Sequence, residues 1–267
     1  MQLVSPRDYD HVIRLLRGFF QARGFIECHV QNRLSILAAC EDPENIATFA
    51  YAGEMWPLPQ TGQMWLEREL LQDPSLPGLF CLTTSYRAEK NPIKGRHDLI
   101  FPLFEFETSR DINALKQLEI ELLEYLGFAE NRIIYYEDLA KLYGVEVLEA
   151  EHEEQLYRDY SHPVLITHFP ISTHPFWNMR IDGALARKID VVMGGIETIG
   201  SAERSCDPDQ MYESFHGVSD GRYASRLYQL FGRERVEREL VEFLRLDFFP
   251  RIGGGIGITR LLKAMRS

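Results

Sequence analysis

Arg87, Lys90, Lys94, Arg96 and His97 crowd into positions 87–97 of a chain whose formal net charge is −11. An arginine at the end of a strand offers a planar fork of donors that suits a phosphate. Glu89, two residues later, points to the same side of an extended chain. Phe101 is placed to stack on a purine, and Glu105 and Glu107 share one face of the return segment, where they can hold an ammonium or a metal. A solvated surface hairpin carries the same charges, and the pattern alone leaves both readings open.

Two further stretches have chemical potential. In GGGIGITR, the closely spaced Gly253, Gly254, Gly255 and Gly257 let backbone approach a ligand without a Cβ in the way. The run lacks the Gly-Lys-Ser/Thr ending of a phosphate loop, and no βαβ unit follows it. Arg260, one turn into the next helix, can bind a terminal phosphate; a plain helix-packing turn is the other reading. In DVVMGGIETIGSAER, Asp190 and Glu197 flank a tight Gly194-Gly195 turn. Paired carboxylates of this kind suit Mg2+, which keeps several waters and bridges to phosphates. Arg204 follows and can pair with the polar end of a substrate; here too the charges can equally be structural.

These residues need elements to position them. Residues 10–22 show the three-four apolar spacing of an amphipathic helix, and 63–71, 113–128 and 232–247 read as helices too. Residues 23–30 and 162–170 read as strands. Residues 78–89 and 100–108 form a long antiparallel hairpin, and 186–204 forms two strands about the glycine pair. The segment 250–265 reads as a Gly-rich turn running into a last helix, and the acidic run 146–154 as a solvated helix face. Strands adjacent in sequence look antiparallel with helices grouped between them, which makes the fold class α+β.

Composition narrows the function classes. The chain has 267 residues, 45% hydrophobic and 26% charged, enough for a sizeable core. With 29 Lys+Arg against 40 Asp+Glu, the balance argues against a protein that tracks a phosphate backbone, though not against a small anion in a local pocket. Four cysteines with no C-x-x-C spacing point to a reducing compartment. No signal peptide and no membrane span are expected, and the expected location is cytoplasmic.

In their order, these pieces resemble the catalytic domain of class II aminoacyl-tRNA synthetases, in the aspartyl/asparaginyl/lysyl subgroup and closest to the asparaginyl branch. TGQMWLE (61–67), EHEEQL (151–156), HPVLITHFP (162–170), HPFWNMR (174–180) and GSAER (200–204) each look like a segment of that branch. The resemblance implies an antiparallel sheet flanked by helices, with ATP and Mg2+ as cofactors. It implies that Arg87 grips the α-phosphate, Glu89 the adenine amino group, and His97 and Arg260 the outer phosphates, with Arg96 also at the ATP site. Phe101 stacks on the base and Gly257 belongs to the ATP site. By the same resemblance Arg87 and Arg260 are the expected catalytic residues. Asp190 and Glu197 hold the metal. Gln63, Glu67, Glu105 and Arg204 bind the amino acid, Gln63 and Glu105 at its α-ammonium and Arg204 at its side chain.

The sequence also departs from the family pattern. No proline follows Gly24-Phe25-Ile26-Glu27, Ile100 and Thr259 stand where acids are usual, and Leu66 takes the lysine position of aspartyl enzymes. The chain opens on the first catalytic-domain helix, so one catalytic domain over 1–267 and no anticodon-binding domain is the expectation. The expected activity is ATP-dependent adenylation of an aspartate- or asparagine-like carboxylate by a homodimer, with transfer to a small acceptor, ammonia in an asparagine synthetase-like version. Alternatives are an aminoacyl-tRNA ligase, transfer to a protein or carrier, and a non-catalytic amino-acid sensor. Binding of tRNA is not favoured.

Overall fold

The computed structural model describes residues 4–30, 36 and 43–266. Helix α1 (Pro6–Gln21) leads to the short β1 (Ile26–Glu27), a small hairpin β2 (Thr48–Tyr51) and β3 (Glu54–Pro57), and α2 (Gln63–Gln72). The long hairpin β4 (Leu79–Tyr86) and β5 (Ile100–Thr108) follows, then α3 (Ile112–Tyr125), β6 (Arg132–Tyr135), α4 (Tyr136–Tyr143) and α5 (Ala150–Tyr160). Next come β7 (Val164–Pro170), β8 (Ile181–Asp182), β9 (Leu185–Met193) and β10 (Ile196–Glu203). Helices α6 (Pro208–Gly217), α7 (Arg222–Phe231) and α8 (Arg233–Leu244), strand β11 (Ile252–Gly257) and helix α9 (Ile258–Ala264) complete the chain.

Nine strands form one sheet in the order β1-β4-β5-β11-β10-β9-β7-β6, with β8 pairing on β9. The fold is α+β, a sheet flanked by helices. Its centre is antiparallel, but β1 runs parallel to β4 and β6 parallel to β7. Both parallel pairs are joined by long crossovers that contain helices, as parallel pairing requires. Adjacency in sequence therefore misled at the two edges.

Alternation along each strand sorts the side chains. On β5, Phe104 and Phe106 turn to one face and Glu105 and Glu107 to the other. The aromatic face packs on α1, α3 and α9. Phe20 of α1 sits 5.0–6.2 Å from the rings of Phe25, Phe80, Phe104 and Phe106, and Val12, Ile13, Leu16 and Phe19 line the same helix face. The opposite face is covered at one end by α2 and α6 to α8, and at the other by α4 and α5. The middle of that face, on β5, β11 and β10, is left to polar residues.

The 250–265 segment corrects the sequence expectation. Ile252–Gly257 is not a turn but a central strand, paired with β5 on one side and β10 on the other. Glycine is required by what lies above it: a Cβ on Gly253 would fall 1.5 Å from Glu107 Oε2, and one on Gly255 would fall 2.8 Å from Gln63 Nε2. The strand is bare so that buried polar side chains can lie flat across it.

One buried acid belongs to neither site nor surface. Glu119 of α3 is fully buried, and its Oε1 lies 2.6 Å from Ser201 Oγ, which is also 3.0 Å from the Ile189 carbonyl. One hydroxyl proton cannot serve both acceptors. A protonated Glu119 resolves this by donating to Ser201, which then donates to Ile189. Burial, aided by the charge of Asp190 across the sheet, pushes the Glu119 carboxyl up to about 8 against the hydrogen bond from Ser201. The folded acid thus holds its proton where the unfolded one has lost it. Its stabilisation is complete below the ordinary glutamate value of 4.5 and is lost progressively as pH rises toward 8. Each tenfold in proton affinity is worth about 1.4 kcal/mol. Glu119→Gln removes that titration, so its Tm relative to the parent should rise by several degrees between pH 5 and pH 8.5. A difference that stays flat across that range would refute the protonated acid.

Among the described residues Cys28, Cys81 and Cys206 are free thiols, and Cys40 lies outside them. No described helix is long and apolar enough to cross a membrane.

Candidate active site

The hairpin tip, the end of β11 and the start of α9 converge. Arg87, Glu89, Arg96, His97, Asp98, Phe101, Thr259 and Arg260 line one cavity of about 70 Å3. The β4–β5 register brings Arg87 beside Phe101, with the guanidinium carbon 5.6 Å from the ring centroid. His97 Nδ1 lies 2.8 Å from Glu89 Oε1. Arg260 Nη1 donates to the Glu197 carbonyl at 2.7 Å, tying α9 to β10. That cavity is too small for a nucleotide, but Arg96, His97, Asp98, Thr259 and Arg260 also border a groove of about 780 Å3, within the usual size of ligand pockets. Gly257 ends β11 beneath Arg260, where a Cβ would touch Arg260 Cδ at 3.4 Å.

Asp190 and Glu197 line a second cavity of about 70 Å3 together with His152 and Glu153. Both carboxylates overhang Gly200, whose Cβ would lie 2.7 Å from Glu197 Oε1 and 3.8 Å from Asp190 Oδ1. Lys188 Nζ holds Asp190 Oδ2 at 2.7 Å. Two hard oxygen donors over a bare backbone position fit Mg2+, which takes one or two carboxylates and completes its shell with water and phosphate. Among the described residues no group of three or more acids, histidines or cysteines makes a metal cage, so such an ion would need substrate oxygens.

Further along β5, β11 and β10 the polar face is a floor of buried pairs. Arg204 grips Glu107 with Nε at 2.9 Å and Nη2 at 3.1 Å, and the same Nη2 donates to Gln63 Oε1 at 3.3 Å. Burial pushes the Glu107 carboxyl above the usual carboxylate range, while the Arg204 charge pulls it back. Glu105 is also fully buried. It accepts from the Thr61 hydroxyl, from the Gly62 amide at 2.9 Å and from the Thr83 hydroxyl at 2.5 Å, and burial raises its carboxyl as well. An incoming ammonium must displace one of those donors. Glu105 thus fixes the 61–63 turn that carries Gln63.

Glu67 departs furthest from expectation. Both of its oxygens are taken, one by the Arg251 guanidinium and the other by Asn178 Nδ2 at 2.7 Å. Arg251 itself is completely buried and also donates to the Ser205 and Phe249 carbonyls. A buried carboxylate needs this kind of partner set, and Glu67 meets it inside the floor rather than at the cavity. Arg251 escaped the sequence reading, although it alternates with Gly253 and Gly255 on one strand face. Glu153 escaped it too: within the acidic run it is the residue that bonds Arg96, at 2.6 Å.

Comparison with known proteins places the chain in a family and matches its fold. The pattern of class II tRNA synthetases (D, K and N) matches residues 8–267. An asparagine–tRNA ligase from Pelotomaculum thermopropionicum is 25% identical over 92% of this chain and 62% of its own length. The asparaginyl-tRNA synthetase of Pyrococcus horikoshii, solved with asparaginyl-adenylate, superposes with a TM-score of 0.79 at 21% identity, over 97% of this chain and 64% of that one. The Entamoeba histolytica asparaginyl-tRNA synthetase, also with asparaginyl-adenylate, gives 0.74 at 19% identity over 97% and 63%. The chain belongs to the class II tRNA synthetase family of the aspartyl, lysyl and asparaginyl group. It spans less than two thirds of the length of these relatives.

Proposed function

We propose that the chain adenylates an amino-acid carboxylate with ATP. The substrate carboxylate oxygen attacks the α-phosphorus, the bond to the β-phosphate oxygen breaks, and pyrophosphate leaves. The observation that carries this reading is the shared cavity: Arg260, from the last helix, meets Arg87, Glu89, Arg96, His97 and Phe101 of the β4–β5 hairpin around one space. Across this cavity and the adjoining groove, Arg87 holds the α-phosphate, Phe101 the base, and Arg96, His97 and Arg260 the outer phosphates. Glu89 takes the adenine amino group once it releases His97. Asp190 and Glu197 hold Mg2+, which supplies charge neutralisation. Positioning and electrostatics lower the barrier, with no covalent enzyme intermediate.

The side-chain subsite favours a carboxamide. Arg204 is already neutralised by Glu107, so an aspartate side chain meets no unbalanced cation, whereas an asparagine side chain meets one donor and one acceptor. Leu66 is buried in the apolar cluster and supplies no charge. ATP–pyrophosphate exchange against an amino-acid panel tests this. Asparagine should exchange best and aspartate second; no exchange with any amino acid overturns the adenylation reading.

For the acceptor, the net charge of −11 supports a small molecule over a polyanion; an asparagine synthetase-like reaction with ammonia is the version that requires aspartate, the second-ranked substrate. The names of the relatives favour tRNA. AMP release stimulated by ammonia, set against a gel shift with total tRNA at physiological salt, separates the two. A homodimer fits the exposed edge: among the described residues β1 pairs only with β4, and Ile26 is 47% exposed.

A further inference from the structure

We propose that Glu153 is a positioning residue for the nucleotide–metal site, one carboxylate oxygen that sets both a phosphate-facing guanidinium and the strand carrying a metal carboxylate. The inference rests on the adenylation reading and assigns a role that the sequence pattern hid. The run 146–154 looks like a solvated acidic face, and for Glu151 and Glu154 it is: their side chains are 82% and 59% exposed. Glu153 is 21% exposed and its partner Arg96 15%. A pair this sheltered is screened far less than a surface pair.

Glu153 Oε2 receives Arg96 Nη2 at 2.6 Å and the Glu197 amide N–H at 2.7 Å. The other Nη of Arg96 donates to the Gly195 carbonyl at 3.3 Å. Arg96 is thereby held at both ends of its fork while it borders the phosphate cavity. Glu197 stands at a break in the β9–β10 register, between Glu197 and Ile199. Irregularities of this kind re-aim side chains, and the bond from Glu153 fixes the amide of the residue whose carboxylate is aimed over Gly200. Gly195 allows the approach: its φ is +80°, and a Cβ there would lie 3.4 Å from the Glu154 Cα. Helix α5 therefore rests on the turn closely enough for Glu153 to reach both partners. A guanidinium already oriented costs less to order when a triphosphate arrives.

Calorimetric titration of the full chain with a non-hydrolysable ATP analogue, at several Mg2+ concentrations and alongside Tm, tests this. Glu153→Ala should weaken analogue binding about tenfold and raise the Mg2+ needed for half-saturation by a similar factor. Glu153→Gln keeps an acceptor for the Glu197 amide but loses the ion pair, so it should weaken analogue binding and leave the Mg2+ midpoint in place. In an Arg96→Ala background, Glu153→Ala should add nothing to the loss of analogue affinity yet still move the Mg2+ midpoint. Unchanged binding and midpoint in both single variants, or fully additive losses in the double variant, would overturn the role of Glu153. A parent chain that binds no analogue would overturn the ATP reading itself, and this inference with it.

Discussion

Arg87→Ala should lower the rate of adenylate formation by about 10^3-fold, the upper range for removing one donor to developing charge, while the protein stays folded. The side chain is half-buried at the tip of the β4–β5 hairpin, and the hairpin does not depend on it for closure. The Arg87 amide donates to the Leu99 carbonyl at 2.8 Å, and the β4–β5 register runs unbroken from Leu79 to Tyr86. The variant loses the planar fork beside Phe101, not the scaffold. Arg87→Lys is the informative companion: it restores a charge but not two parallel donors, and should recover only a small part of the rate. Pyrophosphate exchange with the best amino acid, and Tm measured on the same preparations, check this. Near-parental turnover in Arg87→Ala would remove Arg87 from the chemistry. A collapsed Tm would make the loss structural.

The second large effect is on stability. Gly253→Ala places a methyl 1.5 Å from Glu107 Oε2 and 2.6 Å from the Phe106 carbonyl oxygen. The carbonyl belongs to a central strand and cannot move aside, so Glu107 must swing away from Arg204. Both members of that pair are essentially without solvent. Breaking a buried pair leaves an uncompensated charge and costs about 3–5 kcal/mol, which in a chain of this size lowers Tm by roughly 10 °C. Gly217→Ala is the control. Nothing lies within 4 Å of a Cβ there and its φ is negative, so it should be neutral or stabilise by up to about 1 kcal/mol. If Gly253→Ala melts with the control, the strand is not held bare by Glu107. Because Glu107 and Arg204 also form the proposed side-chain subsite, Gly253→Ala should lose asparagine-dependent exchange along with stability.

The elements written in strong periodicity were legible from the chain alone. Residues 10–22 carry apolar positions at helical spacing, and α1 buries that stripe, starting a turn earlier at Pro6 because proline suits the first helical position. The hairpin over 78–108 was legible because β-branched and aromatic runs flank a polar loop. The cluster of Arg87, Glu89, Arg96, His97 and Phe101 was legible because all five sit on or beside that hairpin, so local geometry already brings them together. Arg260 and the carboxylates Asp190 and Glu197 are singled out as candidates by their order along the chain, which resembles the family's.

Tertiary structure decided the rest. A glycine run has no side chains to show alternation, so 252–257 gave no sign of being a central strand. Only Glu107 and Gln63 lying across it explain why it must be bare. The parallel edges depend on where long crossovers return, which local pattern does not encode. Glu153 looks in sequence like an ordinary helix acid, and nothing in the chain shows that Glu67 and Glu105, candidates for substrate binding, are enclosed by buried partners. Whether a carboxylate faces a ligand, a buried arginine or two neighbouring elements depends on which distant residue folds beside it. Arg251 and Arg96 reach Glu67 and Glu153 only through the tertiary fold, whereas Thr83 reaches Glu105 across the β4–β5 hairpin.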